Sequence, residues 1–245
     1  MKHGLIFQPH PRMPRLGAVL DTLPMPEKCD WHAAIEIDGD ALGNDHRSNC
    51  VEAAAWRAVQ IWRAVVAHDA RRPTAELALN TYRRWAGWDG TDATDLGTET
   101  DRAAAFWGSE GLQWADQWTD LPSLFSVDVG DNTHIRKTIA NFGPIQLDLA
   151  LARAWDGETI WRLIDGANGV PGSGDRHRIC CGKYDAQYLY GITWGFEVGI
   201  TWDAVARHAL GAEGAVTRSW LRETGLSPSG LDLTALERAS RSLAA

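Results

Sequence analysis

Cysteine is scarce in this chain: there are four in 245 residues, Cys29, Cys50 and the adjacent Cys180 and Cys181, and none stands in a Cys-x-x-Cys spacing. So few thiols exclude a disulfide scaffold and give no zinc-site pattern; reduced thiols in a reducing compartment are expected. Basic charge is also short, with 24 Lys and Arg against 32 Asp and Glu for a formal net charge of −8, so a polyphosphate backbone meets no cationic reserve and nucleic acid is not an expected partner. No run approaches the roughly 18 apolar residues that a membrane-spanning helix needs. Pro9, Pro11 and Pro14 break the first twenty residues, so a signal-peptide core is not expected either. The eight histidines form no His-x-x-x-His or Glu-x-x-His grouping, and neither a metal nor another cofactor is expected. The glycine-rich stretch 166–174 lacks a following Lys-Ser or Lys-Thr and opens no helix, which makes it a surface loop and not a phosphate cradle.

What the chain does have is bulk. Its 44% hydrophobic content is enough for a sizeable core, and thirteen tryptophans between Trp31 and Trp220 predict a core or cleft with large aromatic surfaces. Residues 1–45 carry five prolines and little periodicity, and are expected to form an extended strap over a single domain of residues 46–245. Within that domain a helical lobe is expected over about 46–118 and a sheet lobe over about 119–245. The Ala-rich, 3.6-periodic segment from Cys50 to Arg72 predicts a long helix stopped by Pro73, with Asn49 as its capping side chain and Glu52 in its first turn. Further helices are predicted over Thr74–Trp85, Asp101–Trp107, Asn132–Phe142, Trp202–Leu210 and Leu231–Leu243. Strict alternation in IQLDLALA predicts a half-buried strand over Ile145–Ala152, and RICCGKY with QYLYGITWG predicts a hairpin. Alternation along its first strand should turn one of Cys180 and Cys181 inward and the other outward.

Cys50 falls in the first turn of the long helix, where unpaired amides and the positive end of the helix dipole favour thiolate. A lone cysteine there is usually structural, but a histidine at the start of the predicted hairpin, His177, follows it by 127 residues (177 minus 50). The segments LGNDHRSNCVEAA and HRICCGKYDAQYLYGITWG resemble the papain-type cysteine peptidases, in which a Gln-x5-Cys segment opens the central helix and a histidine strand pairs with one ending Asn-Ser-Trp-Gly. The likeness runs from about Asp30 to the end, and is closest to papain-like proteins of tailed bacteriophages, on Leu42-Gly43-Asn44-Asp45, Cys50, Thr193-Trp194-Gly195, Ser219-Trp220-Leu221 and the stretch from Leu231.

The resemblance implies an α+β, papain-like fold with a helical lobe facing a twisted, mostly antiparallel sheet. It also implies a thiol hydrolase acting on a peptide or amide bond, with Cys50 as nucleophile and His177 as its base. Asn44, six residues before Cys50, matches the family's Gln as an oxyanion donor; an Asx turn in Gly43-Asn44-Asp45 is the competing reading. Ile192 occupies the position of the family's histidine-orienting Asn, with Thr193 expected on the opposite face of the strand and Asp175 as another group that could orient His177. Trp194 is expected to cover the His177 strand. The implied partners are a peptide or protein substrate and other virion proteins, and the implied location is the host cytoplasm or the virion, without signal-peptide secretion. A chain that keeps the fold but serves as an inactive structural or adaptor component of a phage particle is the alternative.

Overall fold

A computed structural model describes residues 2–9, 13–69, 71–114, 117–119 and 121–232. The strap residues form strand β1 (Leu5–Ile6), the short helix α1 (Gly17–Thr22) and strand β2 (Cys29–Asp30). Helices α2 (Cys50–Ala67), α3 (Ala75–Ala86) and α4 (Thr100–Glu110) follow, with strand β3 (Thr98–Glu99) just before α4. The two-residue strands β4 (Gln113–Trp114) and β5 (Gln117–Trp118) lead to β6 (Ser123–Val127), α5 (Asn132–Phe142), β7 (Ile145–Ala150) and β8 (Ile160–Trp161). The chain then runs through β9 (Arg176–Tyr184), β10 (Tyr188–Thr193), β11 (Phe196–Thr201), α6 (Trp202–His208) and β12 (Ala209–Val216). The helix expected over Leu231–Leu243 lies outside the described residues beyond 232. No helix among the described residues is long and apolar enough to cross a membrane.

Helix α2 is the axis of the molecule. Thirteen of its eighteen residues are buried, more than a one-sided amphipathic helix can hide, because β7, β9 and β10 pack against it on one side and α3 and α4 on another. It ends at Ala67, five residues before the expected stop: His68 takes a left-handed φ of 52°, and Asp69 turns back to bind Arg63 and Arg71. Asn49 does not cap it. Its buried amide donates to the Leu42 carbonyl instead, tying the preceding loop down, while Glu52 accepts from Thr98 Oγ1.

The main sheet has the order β6-β12-β7-β9-β10-β11-β8, with β2 also on β9, and is antiparallel except where β8 joins β11. All six residues of β7 are buried, where a half-buried strand was expected, because the sheet is covered on both faces. Its polar alternates are buried with partners: Gln146 donates to the Ala54 carbonyl, and Asp148 receives Arg178 in a two-pronged ion pair (2.6 and 2.8 Å) whose third member is Glu213, 2.9 Å away. For the same reason Cys180 and Cys181 are both fully buried, as free thiols, so neither is the outward residue that alternation predicts.

The hairpin of β9 and β10 is present, but its register slips. Leu189 pairs with Tyr184 and Tyr190 with Lys183, yet Gly191 pairs with Cys181, so Gly182 bulges out. His32 holds the bulge, accepting from the Gly182 amide at Nε2 and bonding Glu197 at Nδ1 (2.7 Å). Glycine is needed there, since a Cβ would come within 3.0 Å of the His32 ring.

Candidate active site

The N-terminus of α2 and the start of β9 meet where the sequence places Cys50 and His177. The backbone amide of Arg178, the residue after His177, acts on the Cys50 sulfur. Cys50, Asn44, Thr193 and Trp194 line one cleft between the lobes, with Ile192 and Arg178 in its wall. His177 stands directly behind Thr193 and Trp194. Its Nε2 lies 2.5 Å from Thr193 Oγ1, and its ring stacks on Trp194 with centroids 4.1 Å apart and planes 16° apart. Nδ1, the other ring nitrogen, is buried without a hydrogen-bond partner.

Thr193 therefore meets His177 on the same face, where the sequence placed it on the opposite face of the strand. The slip at Gly182 is the cause. In the register set by the hairpin turn, Ile192 would share the face of His177; removing one residue from the count exchanges the two faces, so Ile192 pairs with Cys180 and Thr193 swings to the histidine. Trp194 reaches its stacking position through the two-residue turn that joins β10 to β11, where it and Gly195 adopt φ values of 46° and 86°. Both central residues of such a turn need positive φ, which a tryptophan adopts only under strain held by its surroundings. Asp175 does not join this group: its carboxylate accepts from the Arg176 amide and makes no contact with His177.

The first residues, expected only as part of a strap, lie against two of the cleft's walls, at Asn44 and Trp194. Lys2 and Asn44 exchange backbone and side-chain bonds: the Lys2 amide donates to the Asn44 carbonyl (3.2 Å), and Asn44 Nδ2 donates to the Lys2 carbonyl (3.4 Å) and to that of Arg47 (2.9 Å). Trp194 Nε1 donates to the same Lys2 carbonyl (3.1 Å). His3 lies edge-on to both His177 and Trp194, with centroids 5.6 and 5.5 Å away. Gly4 is pressed so closely on Ser48 that a Cβ would fall 1.9 Å from the Ser48 carbonyl oxygen, and Leu5–Ile6 pair in parallel with β3. The cleft itself holds only about 10 Å³ of free space. The short Leu-Ile run after Gly4 is the one sequence signal that could have marked this segment as docked.

Closure sets the electrostatics. Burial pushes the Cys50 thiol up to about 12, with the charge of nearby Glu52 adding to it, against the opposing pull of the Arg178 amide and guanidinium. Burial, and then the neighbouring His3, holds His177 well below its ordinary value. Both shifts favour the neutral forms, thiol at Cys50 and imidazole at His177. No group of three or more His, Cys, Asp or Glu among the described residues could hold a metal ion.

No model of a known family matches the chain, and no curated protein does. Solved structures do. Xylellain, a cysteine protease from Xylella fastidiosa, shares 15% identity over 87% of this chain and 95% of its own, with a TM-score of 0.62. Procathepsin L 3 from the larval midgut of Tenebrio molitor shares 14% over 83% and 73%, with a TM-score of 0.61. The Carica candamarcensis cysteine protease CMS1MS2 shares 15% over 78% and 98%, with a TM-score of 0.57. The chain has the α+β fold of the papain-like cysteine proteases.

Proposed function

We propose that this chain is a thiol hydrolase of peptide or amide bonds, held closed by its own N-terminal strand. The observation that carries the reading is the arrangement around His177: Nε2 tied to Thr193, the ring clamped by Trp194, and Nδ1 left without a hydrogen-bond partner on a strand packed against the Cys50 helix. With the cleft open to substrate, Nδ1 takes the Cys50 proton and the sulfur attacks the scissile carbonyl. The tetrahedral oxyanion is received by Asn44 Nδ2 and the Cys50 amide. Collapse leaves an acyl group on sulfur while His177 returns the proton to the departing amine; water, deprotonated by the same nitrogen, then releases the acid. Asn44 Nδ2 and Trp194 Nε1 already hold a backbone carbonyl, that of Lys2, which supports their role as donors to a peptide.

The full burial of both Cys50 and His177 favours a second reading, a structural or adaptor protein of a phage particle that keeps the fold without turnover. Cleavage of a denatured protein mixture, read as new amino termini by mass spectrometry, separates the two. Hydrolysis lost in both Cys50→Ser and His177→Ala is expected. A preparation whose cleft has been shown to be open and which still cuts nothing refutes the hydrolase.

A further inference from the structure

Between the strap and the main sheet lies a cavity of about 330 Å³, within the size range of small-molecule sites. A bulge in β12 shapes it: Ala209 pairs with Leu149 but Gly211 with Asp148, so Leu210 is left unpaired and stands in the wall. Glycine is needed at 211, since a Cβ there would come within 2.9 Å of the Phe7 ring. The strap is fixed above the cavity, because Thr100 Oγ1 accepts from the Gln8 amide (3.0 Å) and donates to the Gln8 carbonyl (2.9 Å). Phe7, Met13, Val127, Val129 and Leu210 give it apolar sides. Its floor is charged. Asp148 and Glu213 are 2% and 8% exposed and share a single cation, Arg178. Both Asp148 oxygens are bonded to the guanidinium and so is Glu213 Oε2, but Glu213 Oε1 has no partner among the described residues. Two carboxylates and one guanidinium leave one negative charge in excess, and the oxygen left over is the one that the cavity can reach. Burial pushes the Asp148 carboxyl up, against the pull of Arg178 and with the Glu213 charge adding to it, as a surplus of negative charge requires.

A water molecule at this floor would satisfy the hydrogen bond of Oε1 but not its charge, and a metal ion needs about six oxygen ligands where the walls offer mostly carbon. An ammonium group supplies both the donor and the charge, and the apolar sides suit the carbon body that carries it. We propose that this cavity binds a small organic ammonium ion, an amine with an aliphatic or aromatic body, its nitrogen donating to Glu213 Oε1 and its body lying among Phe7, Met13 and Leu210. Arg15 and Asp128, both exposed, stand at the rim with opposite charges and leave the entrance close to neutral. The site is independent of any chemistry at Cys50.

The test uses the full chain with its methionine methyl groups labelled with ¹³C. Met13 lines the cavity, and its signal is assigned from the Met13→Leu variant. Phenethylamine and isoamylamine are titrated against phenethyl alcohol and isoamyl alcohol, which match them in shape without charge. Saturable shifts of the Met13 signal by the amines are expected, with the alcohols about 10- to 100-fold weaker, the range of a hydrogen bond to a charged group. Glu213→Gln leaves Arg178 paired with Asp148 and is expected to bring the amines down to the affinity of the alcohols. If that variant does not fold, Val129→Trp, which fills the cavity from its side without touching the buried ions, is expected to abolish the binding of both. Asp128→Asn at the exposed rim is expected to change amine affinity by less than about 5-fold. Equal binding of amines and alcohols, no saturable shift of Met13, full amine affinity in folded Glu213→Gln or in Val129→Trp, or amine binding lost in Asp128→Asn overturns the proposal.

Discussion

Gly4→Ala should open the cleft. An added Cβ would lie 1.9 Å from the Ser48 carbonyl oxygen and 2.3 Å from its carbon, and Ser48 cannot retreat, because its amide is bonded to Asp95 (2.8 Å) and it leads directly into α2. The N-terminal strand must therefore leave, exposing Cys50 and releasing it from the burial that raises its thiol from 9.0 to about 12. At pH 8 the thiolate fraction then rises from about 10⁻⁴ to about 10⁻¹, a gain of about 10³ if the pKa returns to its ordinary value. A less basic thiolate is a weaker nucleophile by about 16- to 30-fold over those three units, which leaves a net gain of about 30- to 60-fold in alkylation rate. The assay is brief iodoacetamide labelling followed by peptide mass spectrometry, with displacement of the strand read from the Trp194 indole signal, which loses its bond to Lys2. In the unaltered chain Cys29, the only one of the four thiols that is not buried, should label first. If the Trp194 signal moves and Cys50 still labels at the unaltered rate in a folded protein, closure is not what suppresses the thiol and the reasoning fails.

In the Gly4→Ala background, Thr193→Val should slow Cys50 alkylation by about 2- to 12-fold, the worth of one hydrogen bond, while Thr193→Ser retains the rate; equal rates in all three would show that Thr193 does not orient His177. Arg178→Met leaves Asp148 and Glu213 buried together without their cation and should cost about 3–5 kcal/mol in chemical denaturation, a loss largely reversed when both acids are also made leucine. Glu52 is fully buried and pushed up from 4.5 to about 7, so the folded chain holds that proton more tightly than the unfolded one and the group's contribution falls as pH rises from about 4.5 to 7. Glu52→Gln should accordingly raise stability at pH 8 by an amount of the order of 3 kcal/mol and leave it unchanged at pH 4; a gain that is the same at both pH values refutes the assignment.

Much of the frame was legible because it is local. The segment Asn132–Phe142 reads as a helix with its ends where they are found, Asp131 capping the start by accepting from the Thr133 amide (2.8 Å) and Gly143 closing it at φ 84°. The Ala-rich run fixes α2, and the β9–β10 hairpin follows from its aromatic and β-branched residues. Two things were not legible. The partner of His177 depends on a one-residue bulge, and the cue was Gly182 inside an otherwise good strand, a signal for a bulge that says nothing of which face results. With the true register, an asparagine introduced at 192 would join the row of Cys180 and Glu197, away from the histidine. The docking of Lys2–Gly4 depends on residues 44, 48, 97 and 194, contacts too distant in sequence for any periodicity to express. Alternation also misled at β7, where polar residues turned inward because Asp148 has a cation waiting there.

A sulfur sealed beneath the chain's own backbone is shielded from peroxide as well as from substrate. The oxidation ladder begins with an accessible thiolate, and Cys50 in the closed form is neither accessible nor ionised. Oxidation of the closed form should therefore fall first on the half-buried Cys29 and spare Cys50. Making Cys50 available needs no reductant and no broken bond, only the withdrawal of a few residues of strand. Shelf life and readiness are set by one mechanical step, and any condition that loosens Lys2–Gly4 shortens the first as it increases the second.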